Sequence, residues 1–255
     1  GYNSMKKGLF ILGTVLCMII GCTFITHAED YSEAEIFMSQ IGVISKYDDG
    51  SFHSEYELSR GDFAIMLSRL IGFENEDGRD IFDDVSGKNA SYRSVTYLYD
   101  HGIIFGDGDG NFRPDEAVTR EDACVMAESY AEYRGFENIN DKASFTNSDS
   151  ISAYARDSVY GASEKGIING FDDGSFRPKA ALTRAEAAQI LLGIIERDGQ
   201  IAFFVDPDGG NDLNNGTKLH PLKTVAKAQA AVRDESEAMH HNIYIMIKAG
   251  EYYID

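Results

Sequence analysis

Apolar residues recur at the spacing of one helix face in three stretches of the chain. Each stretch has apolar side chains at positions i, i+3, i+4, i+7 and i+8, with i at Phe63, Ala123 and Ala187. A weaker helical pattern precedes each stripe, in residues 34–41, 92–99 and 154–162. The pattern predicts helices in three pairs, so we expect a mainly α fold here.

The segments that join the two helices of each pair are copies of one another. Residues 42–62, 102–122 and 166–186 align without a gap and share a first Gly, an Asp-Gly pair, a Phe two residues later and an Arg near the end. The first Gly is placed to supply the left-handed residue that ends a helix. A unit of this size cannot bury its own apolar stripe, so we expect the three units to pack into one domain.

Each copy ends in a helix-capping sequence. Ser or Thr is followed three residues later by an acid, immediately before the apolar stripe: Ser59 and Asp62, Thr119 and Asp122, Thr183 and Glu186. In a capping box the hydroxyl accepts a hydrogen bond from the backbone of the acid, whose side chain bonds back to the cap. The pattern therefore predicts that all three helices begin here.

Capping does not explain why Arg60, Arg120 and Arg184 directly follow the three caps. A cation in the first turn opposes the helix dipole by about 0.3–1 kcal/mol when it is exposed. One hypothesis is that the guanidinium and free N–H groups at the helix start bind an anion together. The other is that each Arg pairs with an acid of a neighbouring repeat. The sequence leaves both hypotheses open.

The acidic loops resemble a metal site only in composition. A calcium-binding EF-hand loop needs Gly at position 6 and Glu at position 12, but counting from Asp107 puts Phe112 and Val118 there. Turn formation accounts better for the Asp-Gly pairs. It also accounts better for a later cluster: Asp206, Asp208, Asn211 and Asp212. The sequence thus predicts no metal site and no cofactor.

The N-terminal residues predict a secretory signal peptide over residues 1–28. Lys6 and Lys7 form a basic start, an apolar run follows, and Ala28 precedes two acids. An uncleaved membrane anchor and lipidation at Cys22 are the alternatives, and they are the only membrane association that the sequence suggests. Cleavage after Ala28 leaves Cys124 as the single thiol, at an apolar helix position, so we expect no disulfide framework.

Charge restricts the class of partner. The net charge of −19 and the pI near 4.6 argue against nucleic acid as the main partner. They favour a surface that keeps the protein dispersed in water. We expect a monomer.

Together, the repeat motifs resemble the S-layer homology repeat. They are Phe-x-Asp-Val at residues 82–85, Gly-Ile-Ile-x-Gly, Asp-Gly-x-Phe-Arg-Pro and Thr-Arg-Ala-Glu, in three copies over residues 31–72, 80–134 and 145–197. The resemblance implies a pseudo-threefold helical module, secreted and held in the cell wall or S-layer of a bacterium. It also implies noncovalent binding to secondary cell-wall polysaccharide with acidic groups, such as pyruvylated N-acetylmannosamine.

The resemblance further implies which residues line the ligand-binding grooves between repeats. Here they are Arg60, Arg120, Arg184, Ser59, Thr119, Thr183, Gly106 and Gly170. Repeat one has Lys46 where the second Gly is expected and His53-Ser54 in place of Arg-Pro, and it lacks Phe-x-Asp-Val; repeat three lacks that motif's Asp-Val. We therefore expect unequal grooves, and the departures put the contribution of repeat one in question.

Residues 201–255 have a different pattern, which predicts a short α/β segment. Strand-like stretches flank a helix with apolar residues at Val225, Ala228 and Val232. The motifs at residues 204–212, 216–217, 221–224 and 250–252 resemble the opening of pectate-lyase-like right-handed parallel β-helices. We expect the truncated N-terminal part of a β-helix, because two or three strands do not form an independent sheet.

No set of catalytic residues is evident in this chain, so the sequence leaves open whether the longer protein is an enzyme. One alternative to wall anchoring alone is the N-terminal part of a polysaccharide lyase or glycosidase. Another is a structural S-layer or adhesive protein.

Overall fold

A computed structural model describes residues 15–20, 32–72, 77–198, 201–236 and 243–248. The chain divides into two compact units, residues 25–198 and residues 1–24 with 199–255. Most of the predicted signal peptide, including Cys22, and the motif at residues 250–252 lie outside the described residues. Within those residues, no helix is long and apolar enough to cross a membrane.

The larger unit contains the three predicted helix pairs. Its helices are α1 (Glu33–Gln40), α2 (Arg60–Leu70), α3 (Tyr92–Asp100), α4 (Arg120–Arg134), α5 (Arg156–Glu164) and α6 (Arg184–Arg197). A short 3-10 helix at Ser148–Ser150 precedes α5. All residues of the three predicted apolar stripes are buried except Ile71, so the period of 3.6 residues identified the core face of α2, α4 and α6.

Each short helix ends at the predicted glycine. Gly42, Gly102 and Gly166 have φ of 78°, 68° and 74°, a backbone region that L side chains rarely adopt. The residue after Gly42 closes the motif, since the Val43 N–H donates to the Met38 carbonyl at 2.9 Å. The same bond recurs after the other two glycines, so the predicted C-caps are confirmed.

A closed ring of backbone hydrogen bonds joins the three repeats at their centre. The Leu58 N–H donates to the Leu182 carbonyl at 3.0 Å, Leu182 to Val118 at 2.8 Å, and Val118 back to Leu58 at 2.9 Å. All three side chains are buried. Because each repeat donates to one neighbour and accepts from the other, the repeats form a cycle, which confirms the predicted pseudo-threefold arrangement.

In the smaller unit, the described residues form a three-stranded parallel sheet with one helix. Its strands are β1 (Val15–Ile20), β2 (Ala202–Val205) and β3 (Ile243–Lys248), in the order β1-β3-β2. The predicted helix is α7 (Val225–Ser236), which buries Ala228 and Val232 against β2 and β3. Strand β1 falls inside the segment predicted to be a signal peptide, whose removal stays a prediction.

Candidate functional site

The helix starts at the ends of the repeats are capped as the sequence predicts. Ser59 with Asp62 and Thr183 with Glu186 form complete capping boxes. In the second repeat, Thr119 Oγ1 accepts the Asp122 N–H at 3.2 Å, without the return bond to the backbone. The three hydroxyls predicted to bind a ligand therefore stabilise the starts of α2, α4 and α6.

The next N–H groups of these helices donate to the neighbouring repeat. At α2, the Arg60 N–H binds the Glu116 carbonyl and the Gly61 N–H binds the Pro114 carbonyl, both at 2.8 Å. Equivalent bonds join α4 to Ala180 and Pro178, and α6 to Tyr56 and Ser54. The hypothesis that free N–H groups help to bind an anion is therefore wrong, because these donors already have acceptors.

The three arginines cross from one repeat to the next. Each Nε donates to the backbone carbonyl of the Phe that follows the Asp-Gly pair in the neighbouring repeat. Arg60 donates to Phe112 at 2.8 Å, Arg120 to Phe176 at 3.1 Å, and Arg184 to Phe52 at 2.8 Å. We call the contact region around each arginine the Arg60, Arg120 or Arg184 junction. The three junctions join the same pairs of repeats as the central ring, with the donors running in the opposite direction, so each arginine links two repeats.

Two of the junctions contain an ion pair. Arg120 Nη1 binds Glu186 Oε1 at 2.9 Å, its Nη2 binds the Asn169 carbonyl at 3.2 Å, and only 6% of its side chain is exposed. Arg60 Nη1 lies 3.3 Å from Asp122 Oδ2. The hypothesis that arginine pairs with an acid of the neighbouring repeat is confirmed here, and the acid in each case is the one that caps the next helix.

The Arg184 junction has no such pair. Arg184 Nη2 donates to the Ser45 carbonyl at 2.8 Å, and the guanidinium lies 4.9 Å from the ring centroid of Tyr47. No carboxylate among the described residues forms an ion pair with Arg184. The Arg184 junction therefore lacks the ion pair of the other two among the described residues, although repeat one departs furthest from the family motif.

The two predicted ligand-binding glycines make room for an aromatic ring. A Cβ at Gly106 would lie 2.6 Å from the Phe82 ring, and a Cβ at Gly170 would lie 3.0 Å from the Phe145 ring. Repeat one lacks this Phe, and the Lys46 ammonium at the same position lies 4.9 Å from the ring centroid of Phe52. A Cβ would also lie 2.8 Å from the Asn111 carbonyl at Gly106 and 3.0 Å from the Ser175 carbonyl at Gly170, so ring and backbone together favour glycine in repeats two and three.

An acid or amide early in repeats two and three holds the Phe-Arg segment. Asp84 accepts the Phe112 N–H at 2.9 Å and the Arg113 N–H at 2.7 Å. In repeat three, Asn147 accepts the Phe176 N–H at 2.8 Å, so an amide replaces the carboxylate. Asn147 was not predicted, because the Phe-x-Asp-Val motif requires Asp at this position. Its place two residues after Phe145, like that of Asp84 after Phe82, was the signal that could have identified it.

The acidic loops are turns, as predicted. Asp107 accepts from the N–H groups of Asp109 and Asn111 and from Arg113 Nε. These bonds, above all the one from the Asp109 N–H, lower the pKa of Asp107 to about 2. Asp173 is held in the same way by Ser175 and Arg177, and its pKa is also lowered to about 2.

Replacing Asp107 with Asn should weaken the acid dependence of stability. Because the pKa in the folded state is below the ordinary 3.8, the stabilisation is present above that value and is lost as the pH falls towards about 2. Urea unfolding between about pH 5 and about pH 2.5 should show a shallower loss for Asp107→Asn. The control is Asp172→Asn, whose carboxylate makes no hydrogen bond with the described residues; equal slopes would contradict the prediction.

The loop after β2 is also built by its own carboxylates. Asp206 accepts the N–H groups of Asp208 and Gly209, and Asp212 accepts the N–H groups of Lys223 and Thr224. The interpretation of these acids as turn formers is confirmed. Among the residues described, no group of three or more His, Cys, Asp or Glu is arranged to hold a metal.

Cys124 lies in the core of α4, with 1% of its surface exposed. Burial raises the pKa of its thiol to about 12, so the thiolate is not formed at neutral pH. Its role as a small core residue is confirmed.

The fold and the junctions define a class of protein: a cyclic module of three helical repeats, cross-linked by an arginine at each helix start. Residues 81–124 and 144–188 match the model of the S-layer homology domain. The second and third repeats therefore match the S-layer homology domain, and the first repeat has a similar helix pair with an arginine at the start of its second helix.

Several characterised proteins are similar to this chain. An amylopullulanase of Thermoanaerobacterium thermosulfurigenes is 34% identical over 163 residues, which cover 62% of the chain and 9% of that protein. A cellulosome-anchoring protein of Acetivibrio thermocellus is 26% identical over 69% of the chain and 42% of its own length. The surface-layer 125 kDa protein of Lysinibacillus sphaericus is 28% identical over 66% of the chain and 16% of its own length.

The chain spans less than half the length of each of these relatives. S-layer homology domains anchor proteins to the cell wall, and the relatives include anchoring and surface-layer proteins. The protein is accordingly a secreted protein associated with the cell wall or S-layer.

Proposed function

We propose that this chain anchors its protein noncovalently to the cell wall by binding acidic, pyruvylated secondary cell-wall polysaccharide. The observation that carries the proposal is the Arg184 junction, whose guanidinium is held by two carbonyls, in a chain with two regions that match the S-layer homology domain. Arg184 in particular has no carboxylate partner among the described residues, and a sugar carboxylate would supply one.

The overall charge makes a local cation necessary for this function. A chain with net charge −19 repels an acidic polymer at long range. At physiological salt this repulsion is screened beyond about 8 Å, so a nearby guanidinium decides the contact. The proposal is therefore compatible with an acidic protein only if at least one cation is unpaired.

The test is cosedimentation of the chain with purified cell-wall sacculi. We expect it to pellet with intact sacculi, and to stay in solution after the secondary polysaccharide has been stripped. We also expect weaker binding after mild acid treatment that hydrolyses the pyruvate ketal. Equal pelleting with stripped sacculi would refute the proposed ligand, and no pelleting with intact sacculi would refute the anchoring function.

A second candidate function is that the longer protein degrades glycans, with residues 201–255 opening a parallel β-helix. The parallel pairing of β2 with β3 and the similarity to an amylopullulanase favour it. The third alternative, a structural S-layer or adhesive protein, is favoured by the similarity to a surface-layer protein. Activity of the longer protein on acidic glycans would separate the second from the third.

A further inference from the structure

Repeat one presents a group of rings that repeats two and three do not have. We call Tyr47, His53 and Tyr56 the aromatic cluster. His53 stacks on Tyr56 with centroids 4.3 Å apart and an interplanar angle of 8°, and Tyr47 meets the His53 ring edge-on at 4.9 Å. Tyr47 is 44% exposed and Tyr56 is 48% exposed, so the cluster forms part of the surface.

The gap-free alignment of the repeats shows that this cluster is confined to one junction. The position of Tyr47 is taken by Asp107 and Phe171, that of His53 by Arg113 and Arg177, and that of Tyr56 by Glu116 and Ala180. Both loop arginines are in ion pairs, Arg113 with Asp107 and Arg177 with Asp173. His53 is likewise paired with Asp49, at 2.8 Å, so repeat one differs in its two exposed tyrosines and not in lacking a pair.

We infer that the Arg184 junction is the site where this chain binds its wall polysaccharide, with the sugar carboxylate on Arg184 and a sugar ring against the aromatic cluster. The inference rests on the proposed function and assigns it to one of three junctions. Arg184 belongs to the same surface as the cluster, because its guanidinium lies over Tyr47 and its backbone N–H donates to the Tyr56 carbonyl at 2.9 Å.

The guanidinium of Arg184 is both oriented and available. Its hydrogen bonds to the carbonyls of Phe52 and Ser45 hold it in place. These bonds use two of the five N–H donors of an arginine, and the others have no acceptor among the described residues. The carboxylates of Asp49 and Glu55 lie 2.8 Å and 3.9 Å from His53. Asp62, the counterpart of Asp122 and Glu186, accepts hydrogen bonds from Ser59 and forms no ion pair with Arg184.

The other two junctions are occupied by acids of the protein. An anion at the Arg120 junction would have to displace Glu186 from a side chain that is 6% exposed. At the Arg60 junction it would meet Asp122. In both cases the displaced carboxylate would stay close to the incoming one and repel it.

The test uses the whole chain and purified wall polysaccharide, with the dissociation constant measured by calorimetry. Tyr56→Ala installs the residue that repeat three has at this position and leaves the backbone carbonyl in place. We expect Tyr56→Ala and Arg184→Gln each to weaken binding about tenfold or more. Tyr133→Ala removes a tyrosine of similar exposure (59%) from α4 and should bind like the parent chain.

The Arg60→Gln variant distinguishes the junctions, and we expect it to bind within about threefold of the parent chain. Unchanged binding by Tyr56→Ala and Arg184→Gln, with loss in Arg60→Gln, would overturn the inference while leaving wall anchoring intact. No binding by the parent chain would instead refute the proposed function and the inference together. Urea unfolding of each variant shows whether a loss of affinity reflects a loss of fold.

Discussion

Replacing Arg120 with Ala is expected to lower the free energy of unfolding by about 3–5 kcal/mol. The guanidinium is 6% exposed and binds Glu186 Oε1 and the carbonyls of Phe176 and Asn169. It also lies 4.6 Å from the ring centroid of Phe171. Removing it leaves the acid without its cation and the carbonyls without their donor, and it opens a gap between repeats two and three.

Arg184→Ala is the matched comparison. Arg184 makes the equivalent bond to a Phe carbonyl of the neighbouring repeat but has no ion pair among the described residues. We expect it to lower the unfolding free energy by about 1–2 kcal/mol, from the loss of its two bonds to carbonyls. Urea unfolding monitored by far-UV circular dichroism measures both values. Equal losses in the two variants would mean that the pair with Glu186 adds no stability.

The elements of the repeats could be predicted from the sequence because local chemistry determines them. A glycine that ends a helix, a hydroxyl that begins one and an apolar stripe each act within a few residues. Ser59, Thr119 and Thr183 accordingly cap the helices at the predicted points. The packing of the units into one domain followed from a size argument, since none of them can bury its stripe alone, whereas the threefold arrangement was implied only by the family resemblance.

The partners of the arginines could not be predicted from the sequence. Arg60 Nε bonds 52 residues away along the chain, and Arg184 Nε bonds 132 residues away. The sequence contains many acids and carbonyls at such separations, and only the cyclic packing selects among them. For the same reason, the free N–H groups assumed at the helix starts were wrong: their acceptors belong to the neighbouring repeat.

The departures of repeat one have a different meaning in the structure than in the motif. Measured against the motif, Lys46 and His53 look like lost binding residues. In the structure, Lys46 occupies the position of Gly106, which leaves room for the Phe82 ring in repeat two. His53 belongs to the aromatic cluster beside Arg184. Departure from a family pattern therefore did not reveal which junction keeps an unpaired cation.

The C-terminal boundary of the helical module leads to the second large prediction. The sequence placed the end of repeat three at residue 197, but Asp198 is 1% exposed and accepts two hydrogen bonds from Arg134, at 2.9 and 2.8 Å, and one from the Tyr130 hydroxyl. Burial and the charge of Asp198 raise the pKa of Tyr130, so the hydroxyl remains a donor at neutral pH. Asp198 therefore links the C-terminal end of α6 to α4 through these hydrogen bonds.

Asp198→Ala should lower the free energy of unfolding by about 3 kcal/mol, because it leaves the Arg134 guanidinium and a buried hydroxyl without their acceptor. Asp198→Asn keeps the volume and one acceptor oxygen, so its loss should be smaller. Urea unfolding of Asp198→Ala, Tyr130→Phe and the double variant completes the measurement. Because Tyr130→Phe removes the donor that Asp198→Ala would leave unpaired, we expect the double variant to lose less than the sum of the two. Additive losses would show that Asp198 and Tyr130 stabilise the module independently.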